Sequence, residues 1–276
     1  MGPLPGADRP RGMSPFVPPS SIVSRRSLAE LMLAPQRLRL QFQPIVDLTR
    51  GEVAGYEALA RFDVEPHRAP DAWFAASVGQ GGAGRLDALA VARALGARRV
   101  LPAGRFLAVN VTPAALLTDP VQRAFAHAGD LRGVVVELAA PAVAAHAAAL
   151  AAALGPLRAA GARVAVDDAG AVCAGLEEVV ALRPDYVKVD RGVVAGVDRD
   201  PGKARCIATL VALAARVDAR VVAEGVERPA ELEAVIALGV TLAQGFALAE
   251  PAHGMRSLDR AAARLVLDAR AGRIAA

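Results

Sequence analysis

Six short apolar runs along this chain each end in a polar residue, and this repeat constrains the fold more than any other feature of the sequence. Each run is too short for a stable helix and is typical of a buried strand. Segments rich in alanine and leucine, with a helical pattern, separate the runs. The alternation predicts an α/β fold on a parallel sheet, either a barrel or an open sheet. The polar residues that end the runs are Asn110, Glu137, Asp167, Lys188, Glu224 and Gln244.

The first third of the chain adds two strands that do not follow this alternation. Residues 38–46 alternate between apolar and polar side chains, and residues 53–59 form a second strand-like stretch after Gly51. The short connection between them favours a hairpin. In a barrel, this hairpin would make one strand antiparallel. If the sheet is a (β/α)8 barrel, the strand ends converge on one face, and that face holds the active site.

The length of 276 residues suits one barrel-sized domain with a large core. Residues 1–24 are rich in Pro, Gly and Ser and have no periodic pattern, which is typical of a disordered arm. We therefore assign residues 25–276 to a single barrel domain. The first residues contain no apolar signal core, which predicts a cytoplasmic protein.

The composition argues against three other kinds of protein. Residues 134–157 are apolar, but Glu137, Pro141 and Gly155 interrupt them, so a buried strand and a packed helix are predicted and not a membrane span. Cys173 and Cys206 have no paired spacing, which argues against a disulfide framework or a zinc site. The net charge of +4 comes with scattered arginines and only 4% aromatic residues, so neither DNA nor RNA is an expected partner.

Two adjacent carboxylates, Asp167 and Asp168, stand at the exit of the apolar run 164–166. Strand alternation would point them in opposite directions, but the strand ends there, and the loop can turn both toward one cation. The same residues, followed by Ala169 and Gly170, also fit an ordinary turn. The pair alone therefore leaves both interpretations open.

Rare residue types add weight to two of the strand ends. Asn110 is the only asparagine in the chain, and Lys188 is one of only two lysines among 32 basic residues. A side-chain amide oxygen and a compact ammonium are groups that the abundant arginine cannot replace. The alternatives are a turn before Pro113 for Asn110, and a structural bridge to Asp190 for Lys188. We favour a site role for both.

An all-oxygen set of side chains is expected at the carboxyl ends of the strands. Such a set suits Mg²⁺ or Mn²⁺ and not zinc. Five carboxylates at one barrel mouth would repel strongly without cations, so two ions are plausible. A site with two ions is a common design for phosphodiester hydrolysis. The set consists of Glu57, Asn110, Glu137, Asp167, Asp168 and Glu224.

At this point the sequence resembles a known family. The stretch Gly-Tyr-Glu-Ala-Leu-Ala-Arg at 55–61 is similar to the signature of EAL domains, phosphodiesterases that open cyclic di-GMP to the linear dinucleotide pGpG. The resemblance runs from about residue 38 to residue 251. It includes Gln-Pro-Ile-Val at 43–46, Asn-Val-Thr-Pro at 110–113, the pair at 167–168, Asp-Tyr-Val-Lys-Val-Asp at 185–190, Glu-Gly-Val-Glu at 224–227 and Gln-Gly-Phe at 244–246.

The resemblance implies a TIM-like (β/α)8 barrel with one antiparallel strand, cyclic di-GMP as the bound partner, and a homodimer as in many members. One ion would be held by Glu57, Asn110, Glu137 and Asp167, and a second by Asp167, Asp168 and Glu224. Lys188 would contact or deprotonate the attacking water, with Glu227 and Gln244 holding the water and the lysine. The substrate would meet Gln43, Leu59, Arg61 and Asp190.

Two departures from the family pattern bear on activity. Glu137 is followed by Leu-Ala-Ala where the family continues Leu-Thr-Glu, so Ala140 replaces a loop-anchoring glutamate. The loop after Asp168 carries Val172 in place of a glycine and Cys173 beside it. We expect metal-dependent hydrolysis of cyclic di-GMP. The alternative is an EAL-type module that binds the dinucleotide or a protein partner with little or no turnover.

Overall fold

The computed structural model of the protein describes residues 23–82, 84–169 and 182–272. Its strands close into a barrel in which each strand pairs with the next along the chain and the last pairs with the first. The first strand, β1, is antiparallel to both of its neighbours, and the other pairs are parallel. The predicted TIM-like barrel with one antiparallel strand is therefore confirmed. The strands are β1 Leu38–Asp47, β2 Glu52–Phe62, β3 Phe106–Asn110, β4 Val134–Ala139, β5 Arg163–Asp167, β6 Tyr186–Val189, β7 Arg220–Ala223 and β8 Leu242–Ala243.

Helices surround the barrel, with short 3₁₀ turns at Pro35–Arg37 and Arg98–Val100. Helix α1 begins at Arg25 and leads into the barrel. Val23 and Ser24, the last residues of the predicted arm, contribute to the fold, since Val23 is buried and the Ser24 hydroxyl caps α1. The helices are α1 Arg25–Leu33, α2 Pro70–Gly79, α3 Arg85–Ala97, α4 Pro113–Leu116, α5 Asp119–Ala128, α6 Ala140–Ala159, α7 Arg191–Val194, α8 Pro201–Ala215, α9 Pro229–Ala237 and α10 Arg260–Arg270.

The predicted hairpin is formed by β1 and β2. Its turn is held by Asp47, whose Oδ1 accepts hydrogen bonds from the backbone and hydroxyl of Thr49 and from the backbone of Arg50. Gly51 follows with a φ of 69°, a conformation that glycine adopts without strain. The turn lies at the amino-terminal end of the parallel strands. The opposite end of the hairpin therefore reaches the face where the other strands end.

Inward-facing positions of the strands carry two layers of side chains. An apolar layer fills the barrel interior. Because every second residue of a strand faces inward, the next inward position toward the carboxyl end of the strand carries a polar group. Ala108 and Asn110 illustrate this pattern on β3, and Tyr186 and Lys188 on β6. Gly55 leaves space for the ring of Phe106, which would lie 2.5 Å from a Cβ at that position. The apolar layer consists of Ile45, Ala108, Val135, Ala165, Tyr186, Val222 and Leu242.

The apolar stretch 134–157 forms β4 and nearly all of α6, as predicted. The helix is irregular at His146, where the backbone leaves the helical conformation. In the described ranges, no helix has the length and apolar character needed to cross a membrane. Ala140 begins α6 and is buried, whereas Val172 and Cys173 lie outside the described residues. Cys206 is half-buried in α8.

The packing of helix α5 on the barrel gives a direct test of the core. Phe125 is fully buried there. We expect Phe125→Ala to lower the free energy of unfolding by about 3–5 kcal/mol, because it removes apolar contacts and leaves a cavity. The matched control Leu33→Ala removes a side chain that is 87% exposed, and it should change stability by less than about 0.5 kcal/mol. Urea unfolding of both variants measures the difference, and equal losses would contradict the packing.

Candidate active site

The polar residues predicted at the strand ends meet at one mouth of the barrel. Lys188 on β6 lies at their centre, and its side chain is 1% exposed. Its ammonium is 2.6 Å from Glu224 Oε1 and 2.9 Å from Glu137 Oε2. Glu57 Oε2 and Asp167 Oδ2 lie further away, at 3.5 Å and 3.6 Å. Four carboxylates, three on strands β2, β4 and β5 and one directly after β7, therefore surround one positive charge. We call this group the lysine cluster.

Neutral amides complete the lysine cluster through Glu57. Asn110 donates from Nδ2 to Glu57 Oε1 at 2.6 Å, and Gln244 donates from Nε2 to Glu57 Oε2 at 2.7 Å. The same Gln244 amide also donates to Gln43 Oε1 at 2.7 Å, and Gln43 donates to the carbonyl of Ala249 at 3.0 Å. The amides thus fix the orientation of Glu57 without adding charge to the cluster.

Burial and crowding of like charges change the protonation of the lysine cluster. Burial raises the pKa of Glu224 to about 8, with Lys188 opposing the shift and Asp167 and Glu57 adding to it. Burial also raises the pKa of Glu137 well above its usual range, despite the neighbouring ammonium. Desolvation would lower the pKa of Lys188, but the carboxylates around it outweigh that effect and raise the pKa well above its usual value. Lys188 is therefore a charged donor in this arrangement.

Glu57 behaves differently from the other buried carboxylates. Burial alone would raise its pKa, but Lys188, Asn110 and Gln244 stabilise the anion more strongly, and the pKa is lowered. Hydrogen bonds to the charged form of a carboxylate have this effect. Glu57 therefore ionises more readily than Glu137 and Glu224, whose pKa values are raised.

The acid pair after β5 forms a tight corner. Asp168 has a φ of 55°, in the left-handed region, and its backbone N–H donates to Asp167 Oδ1 at 2.8 Å. Burial and the nearby Asp167 charge raise the pKa of Asp168. This backbone conformation lets the Asp167 side chain point toward Lys188, and both acids line the mouth of the barrel.

Two adjoining cavities open at this mouth, and Glu57, Asp167 and Asp168 line both of them. The larger cavity, of about 640 Å³, extends from the lysine cluster toward α2 and α3. The smaller, of about 470 Å³, extends over the loops that follow β6, β7 and β8. Each residue predicted to contact a substrate lines one of these two cavities. Leu59 and Arg61 line the larger cavity, and Gln43 and Asp190 line the smaller.

Two predicted partners of Lys188 make other contacts. Glu227 accepts a hydrogen bond from Arg191 at 3.0 Å, and Gln244 contacts Glu57 and Gln43. The alternative bridge from Lys188 to Asp190 is not formed: the Asp190 Oδ1 atom caps α7 through the N–H of Gly192 at 2.8 Å. Among the described residues, the ion pairs of Lys188 are those with the four carboxylates.

Sequence reasoning missed Asp87 and Phe246. Asp87 lies on α3, is 2% exposed, and uses Oδ1 to accept from the backbone N–H of Thr112 at 3.0 Å. Its Oδ2 has no hydrogen-bond partner in the described structure, and the residue lines the larger cavity. A lone acid in the apolar stretch of α3 was the available signal. Phe246 is 59% exposed and lines the smaller cavity. Phe246 belongs to the Gln-Gly-Phe stretch at 244–246, but nothing in that stretch indicated that its ring would be exposed at a cavity.

The family model for the EAL domain matches residues 25–251. The chain belongs to the EAL domain family. Its EAL barrel superposes on Klebsiella pneumoniae BlrP1, solved as a manganese and cyclic di-GMP complex, with a TM-score of 0.71 and 30% identity over 81% of this chain and 58% of that chain. The MucR phosphodiesterase in complex with cyclic di-GMP gives a TM-score of 0.69 and 27% identity, over 78% of this chain and 97% of that chain.

Among curated relatives, the EAL barrel is 33% identical over 103 residues to the cyclic di-GMP phosphodiesterase RocR of Pseudomonas aeruginosa. This match covers 37% of the present chain and 26% of RocR. Matches to other curated relatives likewise cover a minor part of those proteins, 14% in the case of MucR from the same organism. The chain therefore corresponds to one portion of these larger relatives.

The chemistry of the EAL barrel mouth fits divalent cations. Four carboxylates around one ammonium leave excess negative charge, and oxygen donors are those that Mg²⁺ and Mn²⁺ prefer. Across residues 23–82, 84–169 and 182–272, no three Asp, Glu, His or Cys side chains are already arranged to hold an ion. The carboxylates converge on Lys188 instead. Ion binding therefore requires these side chains to turn from the ammonium.

Close backbone packing behind Gln244 leads to one prediction. A Cβ at Gly245 would lie 2.2 Å from the carbonyl oxygen and 2.3 Å from the nitrogen of Val226. Gly245→Ala should therefore force the loops after β7 and β8 apart, lowering stability by about 1–3 kcal/mol. The control Gly79→Ala places a Cβ in open space and should leave stability within about 0.5 kcal/mol. Thermal unfolding of the two variants is the measurement, and a wild-type melting temperature for Gly245→Ala would contradict it.

The raised pKa of Glu224 leads to a second prediction, on pH dependence. Its usual value of 4.5 applies to the unfolded chain, and the folded value is about 8. The unfolded carboxyl loses its proton first, so this group favours the folded state below pH 4.5 and loses that contribution as pH rises to about 8. With divalent ions chelated, stability should fall over this range, and Glu224→Gln should flatten the decline. Urea unfolding at several pH values tests this, and an equal decline in both proteins would assign it to other groups.

Proposed function

We propose that this EAL domain hydrolyses cyclic di-GMP to the linear dinucleotide pGpG with Mg²⁺ or Mn²⁺. The observation that carries the proposal is the lysine cluster at the mouth of the barrel, where buried carboxylates exceed the nearby positive charge. The cluster adjoins a cavity large enough for a nucleotide, about 640 Å³. Solved EAL-domain relatives at 27–30% identity carry cyclic di-GMP in their complexes.

The carboxylates supply oxygen donors for two ions. Glu57, Asn110, Glu137 and Asp167 would hold the first ion, and Asp167, Asp168 and Glu224 the second. When bound, the ions would stabilise the charge that grows on the phosphorus centre and make the attacking water more acidic. Asn110 and Gln244 donate to the two oxygens of Glu57 and hold its carboxylate at the mouth of the barrel. Because the site is largely buried, such preorganised charges act strongly.

The reaction adds one water across one phosphodiester. The water oxygen bonds to phosphorus, the bond from phosphorus to the 3′-oxygen breaks, and the 3′-oxygen takes up a proton, which leaves pGpG with a 5′-phosphate. Lys188 would orient the attacking water by donating a hydrogen bond, and a carboxylate of the lysine cluster would accept the water's proton. The Lys188 ammonium lies within 3.6 Å of every carboxylate of the lysine cluster. A water bound to the ammonium would therefore lie close to a carboxylate that can accept its proton.

The larger cavity has the chemistry expected for a purine nucleotide. Arg61 offers a positive charge to a phosphate, and the walls near α2 are apolar, with Phe74 among them. The unpartnered Oδ2 of Asp87 can accept hydrogen bonds from the N–H groups on the edge of guanine. We propose that this cavity takes one guanosine of the substrate, with Leu59 against it. Gln43 and Asp190 would contact the part of the substrate that reaches the smaller cavity.

One observation favours a second candidate function, binding of cyclic di-GMP without useful turnover. The helix α6 begins at Ala140, and no side chain caps its first turn. A glutamate at this position, as in the usual family pattern, would offer an anchor to neighbouring loops that Ala140 cannot provide. Weakened support around a metal site costs about 10- to 100-fold in metal affinity or activity. High Mn²⁺ concentration should therefore favour turnover if the first candidate is right.

The test is to incubate the purified chain with cyclic di-GMP and Mn²⁺ and to follow pGpG by chromatography. We expect hydrolysis by the wild type and a loss of at least about 100-fold in Lys188→Arg, because the bulkier, planar guanidinium cannot take the place of the compact ammonium at the centre of the lysine cluster. Binding of cyclic di-GMP to Lys188→Arg should stay within a few-fold.

The other lysine provides the matched control. Lys203 donates to the carbonyl of Ala195 outside the lysine cluster, so Lys203→Arg should hydrolyse at the wild-type rate. Binding by the wild type without any product would favour the second candidate. Absence of both binding and product would reject the two together.

A further inference from the structure

The guanidinium of Arg61 is held by neutral oxygen atoms. Its Nε donates to Gln41 Oε1 at 2.8 Å, and its Nη1 donates to the carbonyl of Ala60 at 2.8 Å. The two other arginines of the β1–β2 hairpin are paired with carboxylates, Arg39 with Asp63 and Arg50 with Glu52. Arg61 forms no ion pair with any residue that the structure describes. Its charge therefore stays available to a ligand.

The other charged side chains that line the larger cavity are acidic. Arg61 is the basic residue among the described residues that line the larger cavity, and Lys188 is already surrounded by four carboxylates. Without bound cations, an anionic ligand that enters the cavity therefore meets repulsion except near Arg61. The acids on the cavity wall are Glu57, Asp71, Asp87, Glu137, Asp167 and Asp168.

The hairpin places Gln41 where it can orient Arg61. Gln41 lies directly opposite Leu59 in the register of β1 and β2, so it is the diagonal neighbour of Arg61 on the same face of the sheet. Its amide oxygen accepts from Nε, and the carbonyl of Ala60 accepts from Nη1, so three of the five guanidinium N–H groups remain for another acceptor. A carboxylate at this position would pair with Arg61 and reduce its charge. An apolar side chain would release it.

We propose that Gln41 is a positioning residue that aims the guanidinium of Arg61 at a phosphate of the substrate and keeps it unpaired. This inference rests on the proposed function, because the phosphate belongs to cyclic di-GMP. The neutral amide is essential to the arrangement, since it fixes the geometry of Arg61 without neutralising it.

Two variants of Gln41 separate geometry from charge. Gln41→Glu keeps an acceptor for Nε but neutralises Arg61, and it should raise the KM for cyclic di-GMP about tenfold, the effect of losing one charge-assisted contact. Gln41→Leu keeps the charge but loses the acceptor, and it should raise KM roughly threefold. The kcat should stay within about twofold in both, because neither change touches the lysine cluster. The control Arg216→Gln makes the same change in net charge at an exposed position and should keep the wild-type KM.

Coupling to Arg61 shows whether Gln41 acts through it. In an Arg61→Met background, Gln41→Leu should have no further effect on KM, since contacting residues that act as a unit are non-additive. Additive losses, or an unchanged KM in Gln41→Glu, would overturn the proposal. If the chain binds cyclic di-GMP without turnover, the same comparison uses dissociation constants measured calorimetrically with Ca²⁺.

A measurement without substrate keeps this inference separate from the proposed function. The Arg61 Nε–H, assigned by NMR in the wild type, should exchange with solvent faster in Gln41→Leu and not in Arg216→Gln. Unchanged exchange in Gln41→Leu would overturn the positioning role even if hydrolysis is observed. Failure of the wild type to bind or hydrolyse cyclic di-GMP would instead reject the proposed function, and with it the phosphate as the target of Arg61.

Discussion

A single buried ammonium surrounded by carboxylates is the interaction on which the functional face of this barrel depends. Lys188 is placed by β6, and its partners come from β2, β4, β5 and the residue that follows β7. Burying one charge with its partner missing costs several kcal/mol, typically about 3–5 when one member of a buried pair is removed. The strands that carry these side chains are therefore linked by charge as well as by backbone hydrogen bonds. The same charges make the mouth of the barrel suitable for cations.

Neutral amides adjust this charged site in two places. At the lysine cluster, Asn110 and Gln244 stabilise the anion of Glu57. At the cavity wall, Gln41 fixes the cation of Arg61. In both cases the amide satisfies part of a charged group's hydrogen-bonding capacity but leaves its charge in place. A site that must bind both metal ions and an anionic dinucleotide needs oriented charges of both signs, and amides can provide orientation without cancelling either.

Much of the barrel was predictable because its pattern is local. The apolar runs that end in polar residues correspond to β3 to β8, and the inward position at each strand end follows from a period of two. The partners of the polar groups were less predictable, because they depend on distances between elements far apart in sequence. Glu227 pairs with Arg191, which lies 36 residues earlier, and Asp87 reaches Thr112 from a neighbouring helix. Such contacts leave no periodic signal in the chain.

The antiparallel course of β1 places several cavity residues on one continuous ribbon. Gln41 and Gln43 on β1 face Leu59 and Glu57 on β2, while the turn that joins the two strands lies at the far end of the barrel. Because side chains alternate strictly along a strand, a slip of one residue would move every side chain of the slipped strand to the other face. The length and conformation of the Asp47-capped turn thus set the alignment of these groups further along both strands. Insertions near that turn would alter ligand recognition from the side of the barrel opposite to the ligand.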